Sequence, residues 1–224
     1  MANTLIREIT SHEDPAFLDA MELYVESFPR EEREPVSQFA KRCDPLASRH
    51  REWSNRSHLI VVEKGSRVVG MRFCVFAPES SYGFFVYIVV DKAHRKEGIG
   101  SRLLEYSLAL LRLDALSFGT NLKAVFFECE RMCDAKSPQE AIVRTARLDY
   151  FQKRSGQVVS GTYVQPALTD DLSPLPLNLM AYQFDSQLNR KEMVIGFYKH
   201  FLGIGSDDPL VIKALIGAND EKPR

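Results

Sequence analysis

FFVYIVVDKAHRKEGIG, residues 84–100, is the stretch whose reading decides how this chain folds. Its first seven residues are apolar with no polar alternation, which predicts a strand buried on both faces at the centre of a sheet. From Ile99 a helix opens. Ile99, Leu103, Leu104, Leu108, Leu110 and Leu111 form a broad apolar stripe as far as residue 113, with Ser101, Arg102, Glu105 and Arg112 on the other faces. Gly98 and Gly100 therefore lie where a buried strand hands over to a helix packed on the sheet. That junction suits an anion: the first-turn amides lack intrahelical acceptors, the positive end of the helix dipole adds to them, and glycine lets a phosphate approach the backbone.

Upstream, residues 58–63 and 68–77 are two further apolar runs, parted by Gly65-Ser66 and followed by a break at 78–83, so that three strands form an antiparallel meander. Before them, residues 4–9 alternate as a short strand. Asp14-Pro15 opens a helix marked by Phe17, Met21, Tyr24 and Phe28, and a second helix is expected over 36–53, kinked at Pro45. Downstream, 123–130 reads as a strand, 139–154 as a helix entered through Pro138, and 158–164 as a strand. Strand, helix, strand, helix in succession implies a parallel crossover. A proline-spaced loop then leads to a last strand at about 177–184 and a helix over 190–202 with Phe197, Tyr198, Phe201 and Leu202 on its apolar face.

The 224 residues, 45% hydrophobic and 26% charged with a net charge of -1, fit one α/β core and an extension, and offer no bulk attraction for nucleic acid. The start of the chain lacks a basic segment followed by an apolar core, and no stretch approaches the ~20 apolar residues of a membrane span, so a cytoplasmic protein without a membrane partner is expected. Cys43, Cys74, Cys129 and Cys133 include no CxxC pair and no closely spaced histidine, so reduced thiols and no metal are expected. The dinucleotide fingerprint and the P-loop are both absent.

Arg95-Lys96-Glu97-Gly98-Ile99-Gly100 instead resembles the [RQ]-x-x-G-x-[GA] signature of the Gcn5-related N-acetyltransferase (GNAT) superfamily. Phe28-Pro-Arg-Glu-Glu-Arg33 is similar to an F-P-x-x-E-R segment after the first helix of many members, and RLDYFQKRSG, residues 147–156, to the end of their last core helix with one residue added. The resemblance spans about residues 4–164. It implies an α/β (α+β) fold: a mixed, mostly antiparallel sheet with a central parallel strand pair and helices on both faces. Residues 1–166 would be the acyl-CoA-binding core, and 167–224 an extension that completes the sheet and adds a packing helix. The extension either covers the open sheet edge or mediates a homodimer.

By the same resemblance the chain is expected to move an acetyl group from acetyl-CoA to a primary amine, of a small molecule or a protein, by direct transfer. The amides of Arg95, Lys96, Glu97, Gly98, Ile99, Gly100 and Ser101 would hold the pyrophosphate, and the backbone of Val89 and Val90 would run beside the pantetheine and serve the oxyanion. Many members carry a carboxylate on the central strand to deprotonate the amine; here that strand has none. Alternation puts Glu128 and Glu130 on one face of the strand 123–130, where two carboxylates would raise each other's pKa and attract a cation. Glu32 is a third candidate base. Tyr150 is the candidate acid for the leaving thiolate, although the added residue leaves open whether Tyr150 or Phe151 takes the family's position. His94 is expected in the loop, against solvent or phosphate. A non-catalytic acyl-CoA-binding or sensing module is the alternative.

Overall fold

The computed structural model describes residues 4–43 and 55–218. Its strands, β1 (Thr4–Ile9), β2 (Arg56–Lys64), β3 (Arg67–Ala77), β4 (Tyr82–Val90), β5 (Ala124–Glu130), β6 (Gln157–Ser160), β7 (Val164–Gln165) and β8 (Leu175–Gln183), run in the order β1-β2-β3-β4-β5-β8-β6, with β7 on β8. The sheet is mostly antiparallel, with β4 and β5 as the parallel pair. The chain forms two compact units. One comprises the residues up to Pro78 with Phe85–Asn121, the other Glu79–Phe84 with the residues from Leu122 onward, so that β4 contributes to both.

In the first unit β2 and β3 are joined through Gly65, whose φ of 68° is open to glycine at little cost. From Val68 onward β3 is buried throughout. Helix α1 (Pro15–Ser27) starts where the Asp14 side chain accepts from the Ala16 amide, and it buries Phe17, Ala20, Met21 and Tyr24. The Tyr24 ring packs at 4.8 Å on both Phe39 and Tyr87, and Phe39 in turn at 4.8 Å on Phe73. Phe39 belongs to α2 (Val36–Arg42). The rest of the helix expected over 36–53, including Pro45, lies outside the described residues. Helix α3 (Ile99–Ser117) runs past the expected end at 113. Asp114 is buried because its carboxylate binds His58 at 2.7 Å and Arg56 at 3.0 Å, which keeps another turn on the sheet until Gly119, at φ 70°, ends it.

In the second unit β8 lies between β5 and β6, with Phe126 opposite Ala181 and Val158 opposite Met180. Helix α4 (Pro138–Gln152) begins at Ser137, whose side chain accepts from the Glu140 amide. The single strand expected over 158–164 is instead two, β6 and β7, broken at Gly161-Thr162. The break has a cause in side chains: Ser160 Oγ donates to the Ala214 carbonyl at 2.6 Å and Thr162 Oγ1 to Lys213 at 2.8 Å, capping the end of α6 (Pro209–Ile216). Helix α5 (Arg190–Phe197) opens with a capping box of Asn189 and Glu192 and runs into a π-helical turn, Tyr198–Leu202. Phe197 anchors an aromatic core, 5.0 Å from Phe84 and 5.2 Å from Phe126. No helix among the described residues is long and apolar enough to cross a membrane.

Candidate functional site

The junction after β4 has the geometry its sequence predicts. The Asp91 amide donates to Val69 at 3.0 Å, and the Asp91 side chain caps a short turn, Lys92–His94. Gly98 then takes φ 80° and ψ 0° as the N-cap of α3, with no side chain to satisfy the helix amides. The amides of the first helical turn, Ile99, Gly100 and Ser101, precede the helix ladder, which begins with Arg102 donating to Gly98 at 3.1 Å, and no side chain caps them. A Cβ at Gly98 would meet nothing within 4 Å, so open space lies over those donors. The loop thus fits a pyrophosphate, a dianion that needs several donors and close approach to the backbone.

Neighbouring packing fixes the junction. A Cβ at Gly70 on β3 would lie 2.9 Å from the Ile99 Cγ2 and 3.4 Å from the Val89 carbonyl, so glycine is what lets the first turn of α3 sit this low on the sheet. Val89 is buried, and the Val90 carbonyl accepts from Arg95 Nε at 3.3 Å. His94 is tied to Glu97 at 3.1 Å, and Lys64 reaches the same carboxylate at 3.1 Å. The Lys64 ammonium first, then His94, hold the Glu97 carboxyl below its usual range, so its charge is compensated within the loop. Lys96, at φ 70°, is exposed.

In the second unit Glu128 and Glu130 share a face of β5, but they have different partners. Glu130 is ion-paired with Arg147 of α4. Glu128 accepts a hydrogen bond from the phenol of Tyr163, which is fully buried. On α4, Phe151 turns to β5 and packs at 4.6 Å on Phe127, whereas the half-buried ring of Tyr150 lies 3.7 Å below the Arg154 guanidinium. The register left open by the sequence therefore assigns Phe151 to the sheet. Glu32 sits half-exposed in a 3-10 turn of the first unit. No group of three or more His, Cys, Asp or Glu side chains among the described residues is arranged to hold a metal ion.

Residues 17–127 match the family model described as Acetyltransferase (GNAT) family. The chain belongs to the GNAT acetyltransferases. No curated protein matches its sequence. Among solved structures, a GNAT-family protein from Bacteroides thetaiotaomicron is similar over 89% of this chain and 99% of its own, with a TM-score of 0.63 at 18% identity. GNAT acetyltransferases from Staphylococcus aureus (TM-score 0.55, 9% identity, covering 82% of this chain and 100% of that one) and Streptococcus pneumoniae (0.52, 16%, 81% and 99%) share the fold as well. Membership in the GNAT family makes the chain an acyltransferase.

Its β4, YGFFVYIVV, carries no acid. The residue that sequence reasoning missed is Tyr163. It sits in VVSGTYV, residues 158–164, with nothing local to distinguish it from core, and its partner Glu128 is 35 residues away along the chain.

Proposed function

We propose that the chain transfers an acetyl group from acetyl-CoA directly to a primary amine. The observation that supports this reading is the first turn of α3, its amides left without a side-chain cap behind a left-handed Gly98, at the junction where the family signature falls. The pyrophosphate of acetyl-CoA lies against these amides, Arg95 and Lys96 add positive charge, and the backbone of Val89 and Val90 runs beside the pantetheine and offers a donor to the oxyanion.

An alkyl ammonium, with a pKa near ~10.4, must lose a proton before it attacks. Glu128 takes that proton, directly or through a water. The amine nitrogen bonds to the thioester carbon, the carbon–sulfur bond breaks, and Tyr150 protonates the departing thiolate. Glu130, held by Arg147, contributes charge near the ammonium and not the proton transfer.

The test is release of free CoA thiol from acetyl-CoA against a panel of small amines, amino acids, aminoglycosides and lysine peptides, with the acetylated product identified by mass. Amine-dependent release that is lost in Glu128→Gln supports the reading. Binding of acetyl-CoA with no amine-dependent release would favour a non-catalytic acyl-CoA-binding or sensing module, which the lack of a carboxylate on β4 also supports.

A further inference from the structure

We infer that Tyr163 is a positioning residue for Glu128, and that the C-terminal segment, through Tyr198 and Phe197, is what holds Tyr163 in place. The inference rests on the reading of Glu128 as the proton acceptor. It gives the extension a task beyond filling the sheet: β8 and α5 make the support on which the base is aimed.

The contacts form one chain. The Tyr163 phenol, with no exposure to solvent, donates to Glu128 Oε1. Its ring is met edge-on by Phe197 at 5.6 Å and at a tilt by Tyr198 at 5.5 Å, both fully buried. The next residue, Val164, lies opposite Pro176 on β8 in a pair that exchanges no ladder bond, because the ladder bond falls on the Tyr163 carbonyl and the Leu177 amide. The Tyr198 hydroxyl serves the backbone of Val164 instead, donating to its carbonyl at 3.0 Å and accepting from its amide at 3.4 Å. One hydroxyl thus satisfies both buried backbone groups beside Tyr163. The Tyr163 carbonyl accepts from Leu177 at 3.1 Å, which completes the fixation.

A phenol donating to a carboxylate favours its charged form and fixes one of its oxygens, so it keeps a base ionised and aimed. The phenols themselves stay protonated: burial, then Glu128, raise Tyr163 well above its ordinary value, and burial raises Tyr198 to about 12. Among the described residues, titratable groups near the pair include Asp208, which acts on Tyr198, and Glu130 on the same face of β5, paired with Arg147 from α4.

The experiment is a carbon-13 titration of the Glu128 carboxyl in the wild type, Tyr163→Phe and Tyr198→Phe, together with kcat and KM against pH for an amine found by the thiol-release screen. The expected result is a Glu128 titration, and an acid limb of kcat/KM, displaced upward by about one pH unit in Tyr163→Phe and by less in Tyr198→Phe, with KM for acetyl-CoA unchanged. If Tyr163→Phe titrates and turns over as the wild type does while Glu128→Gln is impaired, the positioning role is overturned and the base stands. If Glu128→Gln turns over normally, it is the base that is wrong. Should Tyr163→Phe not fold, Tyr198→Phe retains the Tyr163 phenol and removes only its support, and an unshifted Glu128 titration there overturns the inference.

Discussion

Tyr150 illustrates how much the residue scale depends on register. Its ring is half-buried beneath Arg154, whereas its neighbour Phe151 is committed to Phe127. Replacing the hydroxyl alone leaves both contacts intact, so Tyr150→Phe is expected to keep the thermal midpoint and the KM for acetyl-CoA while kcat falls on the order of 100-fold, the usual worth of a general acid. Stopped-flow thiol release would measure it, and an unchanged kcat would remove Tyr150 from the chemistry. At this scale the strand-to-helix junction was legible in the sequence because its logic is local: Gly98 sits one residue from the helix it caps. The partner of Glu128 was not. Tyr163 is 35 residues away along the chain, and its ring is set by contacts to Phe197 and Tyr198, further away still in sequence.

At the scale of elements, β1, β2 and α3 are joined by one histidine. His58 Nδ1 lies 2.7 Å from Glu8 and Nε2 2.7 Å from Asp114, and Asp114 also binds Arg56. Burial alone would lower the His58 pKa, but the bonds to Asp114 and then Glu8 outweigh it and raise the value to about 9. The folded state therefore holds this proton more tightly than the unfolded chain. Its contribution, on the order of 3 kcal/mol, is fully present below the unfolded value near ~6.5 and is lost as pH rises through about 9. Urea unfolding of the wild type and His58→Gln should thus differ by roughly 3 kcal/mol at pH 7, and the gap should narrow by about pH 10. The buried thiols Cys43 and Cys74, held up at about 12 by burial, also cost stability as the unfolded chain loses their protons above pH 9, but they do so equally in both proteins, so the gap reports His58. The same cluster explains why α3 outruns its apolar stripe: Leu113 and Leu116 are exposed, and it is Asp114 and Ser117, bonded to Arg56, that hold the last turn. Periodicity reports apolar faces and is silent on such polar ties.

For the whole molecule, the order of elements was readable from alternation, proline and glycine punctuation, and the parallel crossover through α3. What could not be read was how the last third is woven in. Strand β8 pairs with β5 on one side and β6 on the other, and the end of α6 is capped by Ser160 and Thr162. A chain ending at residue 166 would leave β5 and β6 without their shared neighbour, exposing two rows of unpaired backbone groups. Such a truncation is expected to lose cooperative unfolding and to aggregate, as circular dichroism and size-exclusion chromatography would record; a soluble, cooperatively folded fragment would show that the core stands without its extension.

Binding of acetyl-CoA at the loop before α3 is measured by titration calorimetry, with NAD and ATP as controls. Valine at position 98 would place a branched side chain in the open space above the amides and would force an L residue to φ 80°, a strain of about 1–2 kcal/mol. Saturable, selective binding of acetyl-CoA to the wild type, lost in Gly98→Val, is the predicted result. Absence of binding in the wild type, or equal binding in Gly98→Val, would contradict it.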